Sequence, residues 1–189
     1  MLGAVTKTYL AEMLNINPED IVVVSVMPCV AKKNEADREE MMIDNMKDVD
    51  LVITTRELAT MIKEAGLDIR NIKDGEFDNP LGVSSGAGVI FGSSGGVMEA
   101  AARTAYLPIT RKEPPPLFLN LTPVRGLAGV KEAAAEIPGV GTLHVAVSHG
   151  MANGRKVLDA VRDGKAPWHF IEFMTCPGGC IAGGGQPRT

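Results

Sequence analysis

Apolar runs alternate with amphipathic stretches along the chain, a pattern that predicts an α/β protein with parallel or mixed sheets flanked by helices. Ala4–Met13 has helical spacing, and Asn17-Pro18-Glu19-Asp20 reads as a turn. Ile21–Val26 is a β-branched run suited to a buried strand, and it stops at Met27-Pro28-Cys29. Ala31–Met42 then reads as a charged helix and Val49–Ile53 as a second strand. Thr54 and Glu57 have capping-box spacing, which predicts a helix from there to about Glu64, ending before Gly66.

Asp68–Pro80 is polar and predicts a surface loop, and Leu81–Tyr106 is glycine-rich and then helical. Pro114-Pro115-Pro116 marks a spacer. Leu117–Leu121 and Leu143–Ser148 predict strands, with helices near Leu127–Glu136 and Gly154–Arg162. Trp168–Phe173 predicts the last strand, which leads directly into Cys176-Pro177-Gly178-Gly179-Cys180. Two predicted strands therefore end at cysteine-bearing turns. Sites in open α/β sheets lie beyond the carboxyl ends of the strands, so both turns are expected to converge on one crevice.

Composition narrows the functions. A net charge of −4 and 4% aromatic residues argue against an electrostatic grip on nucleic acid or anionic lipid and against a base-stacking platform. No apolar run approaches the roughly 20 residues of a membrane span. Met1 is not followed by a signal-peptide pattern, so the expected compartment is the cytoplasm.

Three cysteines, Cys29, Cys176 and Cys180, do not make a disulfide framework. A lone cysteine is most simply a small buried hydrophobe. Here the contexts say more. Cys176 and Cys180 would share one side of a helical turn, with Pro177 at its first position and Gly178-Gly179 letting backbone amides approach whatever the sulfurs hold. Amides at a helix start favour an anionic object, and a thiolate-ligated iron–sulfur cluster is one. Structural zinc prefers two ligand pairs, whereas one pair is present and His144, His149 and His169 show no paired spacing. A cubane usually takes four protein ligands, so either one iron stays open or a fourth cysteine lies outside these residues.

The Gly82–Gly96 segment matches neither phosphate-loop pattern and is expected to bring backbone close to something buried, with Gly92 after Phe91 the position of interest. Lys32, Lys33 and Glu35 suit either a solvated helix face or a cation aimed into the crevice with Glu35 fixing its charge. Met27 and Met174 each sit two residues before a cysteine, as core filler or as a soft wall around a metal site.

Val24–Glu35 (VSVMPCVAKKNE) and Glu172–Pro187 (EFMTCPGGCIAGGGQP) closely resemble the second and third signature motifs of the iron-only (FeFe) hydrogenases. Gly86–Ala101 resembles the glycine-rich segment between them, and the opening GAVTKTYLAEML resembles the helix before the second motif. The resemblance implies reversible proton reduction and hydrogen oxidation at an H-cluster, a 4Fe–4S cubane joined to a di-iron unit with carbon monoxide, cyanide and azadithiolate ligands. It implies Cys29 and Cys176 as cubane ligands, and Cys180 as the ligand that also bridges to the di-iron unit. Lys32 would donate to a cyanide, Met27 and Met174 would wall the pocket, Glu35 would pair near Lys32, and Phe91-Gly92 would line the cavity. Ferredoxin or a similar carrier would be the electron partner, with hydrogenase maturation proteins supplying the cofactor.

The family's first cysteine motif, its usual acidic and serine proton path and its accessory cluster domains have no match in this sequence, and Val30 stands where threonine is commoner. Residues 1–189 therefore read as an internal piece of a hydrogenase catalytic domain, inactive alone. The alternatives are a Narf-like iron–sulfur assembly factor or a sensory hydrogenase-like protein. Such assembly factors generally lack the pocket lysine and methionines, so Met27, Lys32 and Met174 favour the enzyme.

Overall fold

The computed structural model describes residues 1–83, 85–116, 118–119, 122–123 (backbone alone) and 129–187. The chain divides into two compact units, one of Met1–Val83 with Gly183–Thr189 and one of Ser84–Ala182. Both mix helices with sheets, the first with a parallel pair and an antiparallel hairpin and the second with a mixed four-stranded sheet, as the alternating pattern predicts.

The first unit opens with α1 (Leu2–Val5), which runs through one widened π-helical stretch, Thr6–Leu10, into α2 (Ala11–Leu14). The π stretch carries Lys7, which is buried and donates 2.7 Å hydrogen bonds to Lys47 O and Asp50 Oδ1. Strand β1 (Val24–Met27) follows, then the short helix α3 (Ala31–Glu35). Strands β2 (Met42–Ile43) and β3 (Met46–Lys47) form a hairpin, and β4 (Leu51–Thr54) pairs parallel to β1, with Val24 opposite Leu51 and Met27 opposite Thr54. Helix α4 (Thr55–Glu64) closes the unit on the capping box read from sequence, Thr54 Oγ1 accepting from Glu57 N–H and Glu57 accepting from Thr54 N–H.

Two expectations fail here. The helix expected over Ala31–Met42 ends at Glu35, and Met42 belongs instead to a hairpin in which Asp44 and Asn45, both at positive φ, turn Met42-Ile43 back on Met46-Lys47. The strand over Ile21–Val26 begins at Val24 and is not buried: Val24 and Val26 are 48% and 46% exposed. Its apolar run reads as an interior strand, yet among the described residues it has one partner, β4.

The second unit starts with α5 (Gly86–Ile90) and the long α6 (Gly96–Thr110). Its sheet has the order β5 (Thr122–Pro123), β6 (Val130–Ile137), β7 (Gly141–His149), β8 (Phe170–Met174), with α7 (Met151–Arg162) crossing over between the parallel pair β7 and β8. Met98 of α6 packs with Ala133, Val145 and Val147, and Tyr106 meets Phe118 edge-on at 4.9 Å between ring centres. The alternate β7 residues Ala146 and Ser148 are buried as well, so the central strand is covered on both faces.

The helix expected near Leu127–Glu136 is instead β6 from Val130 onward, with 127–128 outside the described residues. Its alanines are good helix formers, but Ala133, Ala135 and Ile137 alternate inward and eight register pairs tie the strand to β7. Of the strand expected over Leu117–Leu121, positions 117, 120 and 121 lie outside the described residues, and Phe118 and Leu119 are not in a strand.

Candidate functional site

Both expected strand-end cysteine turns are present, one in each unit. In the first, β1 ends at Met27 and Pro28 leads to Cys29, a half-buried thiol. Three residues on, α3 sets Lys32 and Glu35 on one side, and Lys32 Nζ donates to both Glu35 oxygens at 2.6 Å. Met27, Lys32 and Glu35 line a cavity of about 260 Å³ whose wall also includes the apolar Leu2, Val24, Met41 and Val49 and a second acid, Asp48. A cation and a thioether in apolar surroundings suit a small anionic or polarisable ligand.

The adjacent lysine is used differently. Lys33 Nζ bonds Glu57 Oε1 at 2.5 Å, so it belongs to the cap of α4 and not to the cavity. That bond, with those from the Thr54 amide and hydroxyl, brings the Glu57 carboxyl down to about 2. The Cys29 turn is also held from the chain's other end. Gly185 N–H donates to Pro28 O at 2.7 Å, and Gly185 O accepts from Arg56 N–H. A Cβ at Gly185 would lie 2.5 Å from Thr54 Cγ2 and 2.8 Å from Pro28 O, so only glycine allows this approach.

In the second unit β8 ends at Met174, and Cys176 O accepts from Gly179 N–H at 3.0 Å across Pro177-Gly178. Gly178 has φ +87° and Gly179 φ +98°. The motif is thus a type II turn, proline second and glycine third, followed by a 3₁₀ stretch Cys180–Ala182. This corrects the helical turn expected from the four-residue spacing: two left-handed glycines cannot continue a helix.

The glycine-rich segment approaches this turn, as expected for Gly92. Gly92 O accepts from Ile181 N–H and Ser94 N–H donates to Gly178 O, both at 3.0 Å. A Cβ at Gly179 would stand 2.5 Å from Ser94 N and 2.6 Å from Gly92 O. Met174 is buried with its Sδ 3.9 Å from Cys180 Sγ. Phe91 follows α5 and is 44% exposed.

Two residues of this framework escape a reading by motif. Glu172, buried on β8, accepts from Gly95 N–H and Met98 N–H at 2.7 Å each and so caps α6 just after the Gly92–Ser94 contact. Its signal is one acid inside an otherwise apolar strand. His149, the last residue of β7, accepts the Gly178 N–H at Nδ1 over 3.2 Å.

The described residues form no disulfide, and within each unit they gather no group of three or more His, Cys, Asp and Glu side chains suited to a single metal ion. In the second unit, two half-buried free thiols, Cys176 and Cys180, the latter beside Met174 sulfur, lie in a turn that backbone approaches closely; this is the soft donor set of a thiolate-ligated iron–sulfur group, so these residues fit one. No helix among the described residues is long and apolar enough to cross a membrane.

The large subunit of the periplasmic Fe hydrogenase of Nitratidesulfovibrio vulgaris is 49% identical over 187 residues, 99% of this chain and 44% of that protein. Iron hydrogenase 1 of Clostridium pasteurianum is 44% identical over 188 residues, 32% of its length. A probable cytosolic Fe–S cluster assembly factor of Aedes aegypti is 34% identical over 203 residues, 40% of its length. The chain thus spans less than half of each of these relatives. Among solved structures, the FeFe-hydrogenase HydA(deltaEFG) superposes with a TM-score of 0.80 at 41% identity, covering 100% of this chain and 54% of that one. Residues 1–184 match the family described as iron only hydrogenase large subunit, C-terminal domain, and the fold agrees with it: the chain belongs to that family.

Proposed function

We propose that this chain is the cofactor-facing part of an FeFe hydrogenase and serves reversible proton reduction and hydrogen oxidation. The observation that carries the reading is the Cys29 turn, where a reduced thiol is followed by the Met27–Lys32–Glu35 cavity. Family membership implies an iron–sulfur cofactor, and the H-cluster is the form proposed here. When bound, that group supplies the electrons and the iron coordination position that hydrogen chemistry needs. By motif position Cys29, Cys176 and Cys180 would be the thiolates that hold it.

The chain's own residues then have plain tasks. Lys32 offers charge-assisted hydrogen bonds to an anionic ligand, and Glu35 holds the lysine in place. Met27 and Met174 would keep water from the sulfurs, and Phe91-Gly92 would face the cofactor beside the second cysteine turn, to which Gly92 is bound through Ile181. A ferredoxin-like carrier and hydrogenase maturation proteins are the proposed partners. The compartment differs among the relatives, one being named periplasmic and another cytosolic. A role in iron–sulfur assembly is the second reading, supported by the 34% relative. The higher identity to hydrogenases and the presence of Met27, Lys32 and Met174 favour the enzyme.

Anaerobic production with hydrogenase maturation proteins, followed by iron and sulfide analysis and a reduced-viologen assay, tests the proposal. The expected result is an iron–sulfur cluster lost on Cys29→Ser or Cys176→Ser. Three thiols against the roughly four of a cubane predict no hydrogen from residues 1–189 alone. A chain that takes zinc and refuses iron and sulfide would overturn the hydrogenase reading, and sustained hydrogen evolution would overturn the expected inactivity.

A further inference from the structure

The turn between Cys176 and Cys180 has a freedom that its own sequence does not remove. Types I and II differ by a rotation of the central peptide, here Pro177–Gly178, through about half a turn. Proline at the second position accepts both forms, and glycine at the third tolerates either sign of φ. An acceptor outside the turn must therefore select the orientation.

That acceptor is His149. The N–H of the Pro177–Gly178 peptide points at His149 Nδ1 over 3.2 Å. The main chain of His149 is itself held, its N–H donating to Gly129 O and its carbonyl accepting from Asn153 Nδ2, both at 2.9 Å. It also stands opposite Met174 in the β7–β8 register, two residues before Cys176. Accepting at Nδ1 requires the neutral ring with its proton on Nε2.

We infer that His149 is a positioning residue for the cysteine turn, fixing the Pro177–Gly178 peptide through Nδ1 and so deciding which face of the turn offers an N–H and which a carbonyl. Amide donors to cluster sulfurs set iron–sulfur potentials, so this choice tunes the cofactor without touching it. The tuning rests on the proposed function; the selection of the turn does not.

Two variants separate acceptor from bulk. His149→Asn places an oxygen near the Nδ1 position, whereas His149→Phe keeps a ring without an acceptor. In uniformly ¹⁵N-labelled protein, the wild type should show the Nε2–H tautomer at His149 and a protected Gly178 amide. His149→Asn should retain that protection, and His149→Phe should exchange about tenfold faster or more while melting as a folded protein. An Nδ1–H tautomer in the wild type, or equal Gly178 protection in His149→Phe, would overturn the inference. After anaerobic addition of iron and sulfide, the midpoint potential should move in His149→Phe and stay near wild type in His149→Asn; an unmoved potential in His149→Phe would overturn the tuning. Failure of the wild type to take up a cluster would count against the functional reading alone, because the amide and tautomer measurements still decide the positioning role.

Discussion

Lys32 Nζ stands 2.6 Å from both carboxylate oxygens of Glu35, one turn apart on α3, at the polar part of an apolar cavity. The two side chains are 37% and 39% exposed, so the pair contributes at most about 1 kcal/mol to stability. Its value lies in holding a cation in one place. In a hydrogenase that carries this domain and a mature cofactor, Lys32→Ala should lower viologen-driven hydrogen evolution about 10- to 100-fold, the equivalent of one charged hydrogen bond. Glu35→Gln should cost less activity and barely move the urea midpoint. Equal stability losses in both variants, with activity retained, would count against a functional cation.

Gly179 separates conformational strain from steric collision. Gly178→Ala meets only Ala182 Cβ, at 3.7 Å, and should cost about 1–2 kcal/mol for its left-handed φ. Gly179→Ala carries a similar φ penalty and also drives Cβ into the backbone of Ser94 and Gly92. A further cost of about 1–3 kcal/mol is expected, read as the difference between the two urea unfolding curves. Iron uptake should fall furthest in Gly179→Ala, since the Gly92–Ser94 segment must then leave the cysteine turn.

Glu172 holds that same segment from below. Its carboxylate takes two backbone N–H groups at the start of α6, where the helix leaves amides unpaired and its dipole favours negative charge. Glu172→Gln keeps one acceptor and should cost about 1 kcal/mol. Glu172→Leu leaves Gly95 and Met98 N–H groups buried without partners and should cost about 2–4 kcal/mol. Equal melting temperatures for the two variants would show that the capping is energetically idle.

The sequence announces some of this framework and hides the rest for physical reasons. The Thr54–Glu57 box was legible because capping is a local transaction between residues three apart. Both cysteine turns were legible at their strand ends, since Met27 and Met174 close apolar runs. Strand β6 was not, because Ala133–Ala135 prefer a helix until β7 supplies eight partners from across the sheet. The four-residue cysteine spacing suggested a helix because spacing carries no sign of φ, and Gly178 and Gly179 both chose the left-handed region. Glu172 and His149 act on residues 29 or more positions away in the chain, at Gly95, Met98 and Gly178, and no local pattern encodes such a pairing.

Glu57 makes the cap of α4 pH-sensitive in a direction that can be stated in advance. Its carboxylate accepts from Lys33 Nζ, from Thr54 N–H and from the Thr54 hydroxyl, and these bonds lower its pKa from 4.5 to about 2. The folded chain therefore binds fewer protons than the unfolded chain between those values. Its stabilising contribution is fully present above about pH 5 and is lost as pH falls through 4.5 toward 2. Asp50 also titrates low: burial opposes this most strongly, but the bonds from Lys7 and Val23 N–H and the lysine charge together outweigh it, so the raw acid curve mixes at least two groups. Subtracting Glu57→Gln isolates one. The stability difference between wild type and Glu57→Gln should be largest near pH 6 and shrink steadily toward pH 2. Lys33→Met should move the decline toward pH 4.5 by removing the bond that contributes most. Urea midpoints at half-unit pH steps, with the Glu57 side-chain carboxyl followed by ¹³C chemical shift, check both statements. A difference that stays constant from pH 6 to pH 2 would mean that the carboxylate caps α4 no better than an amide.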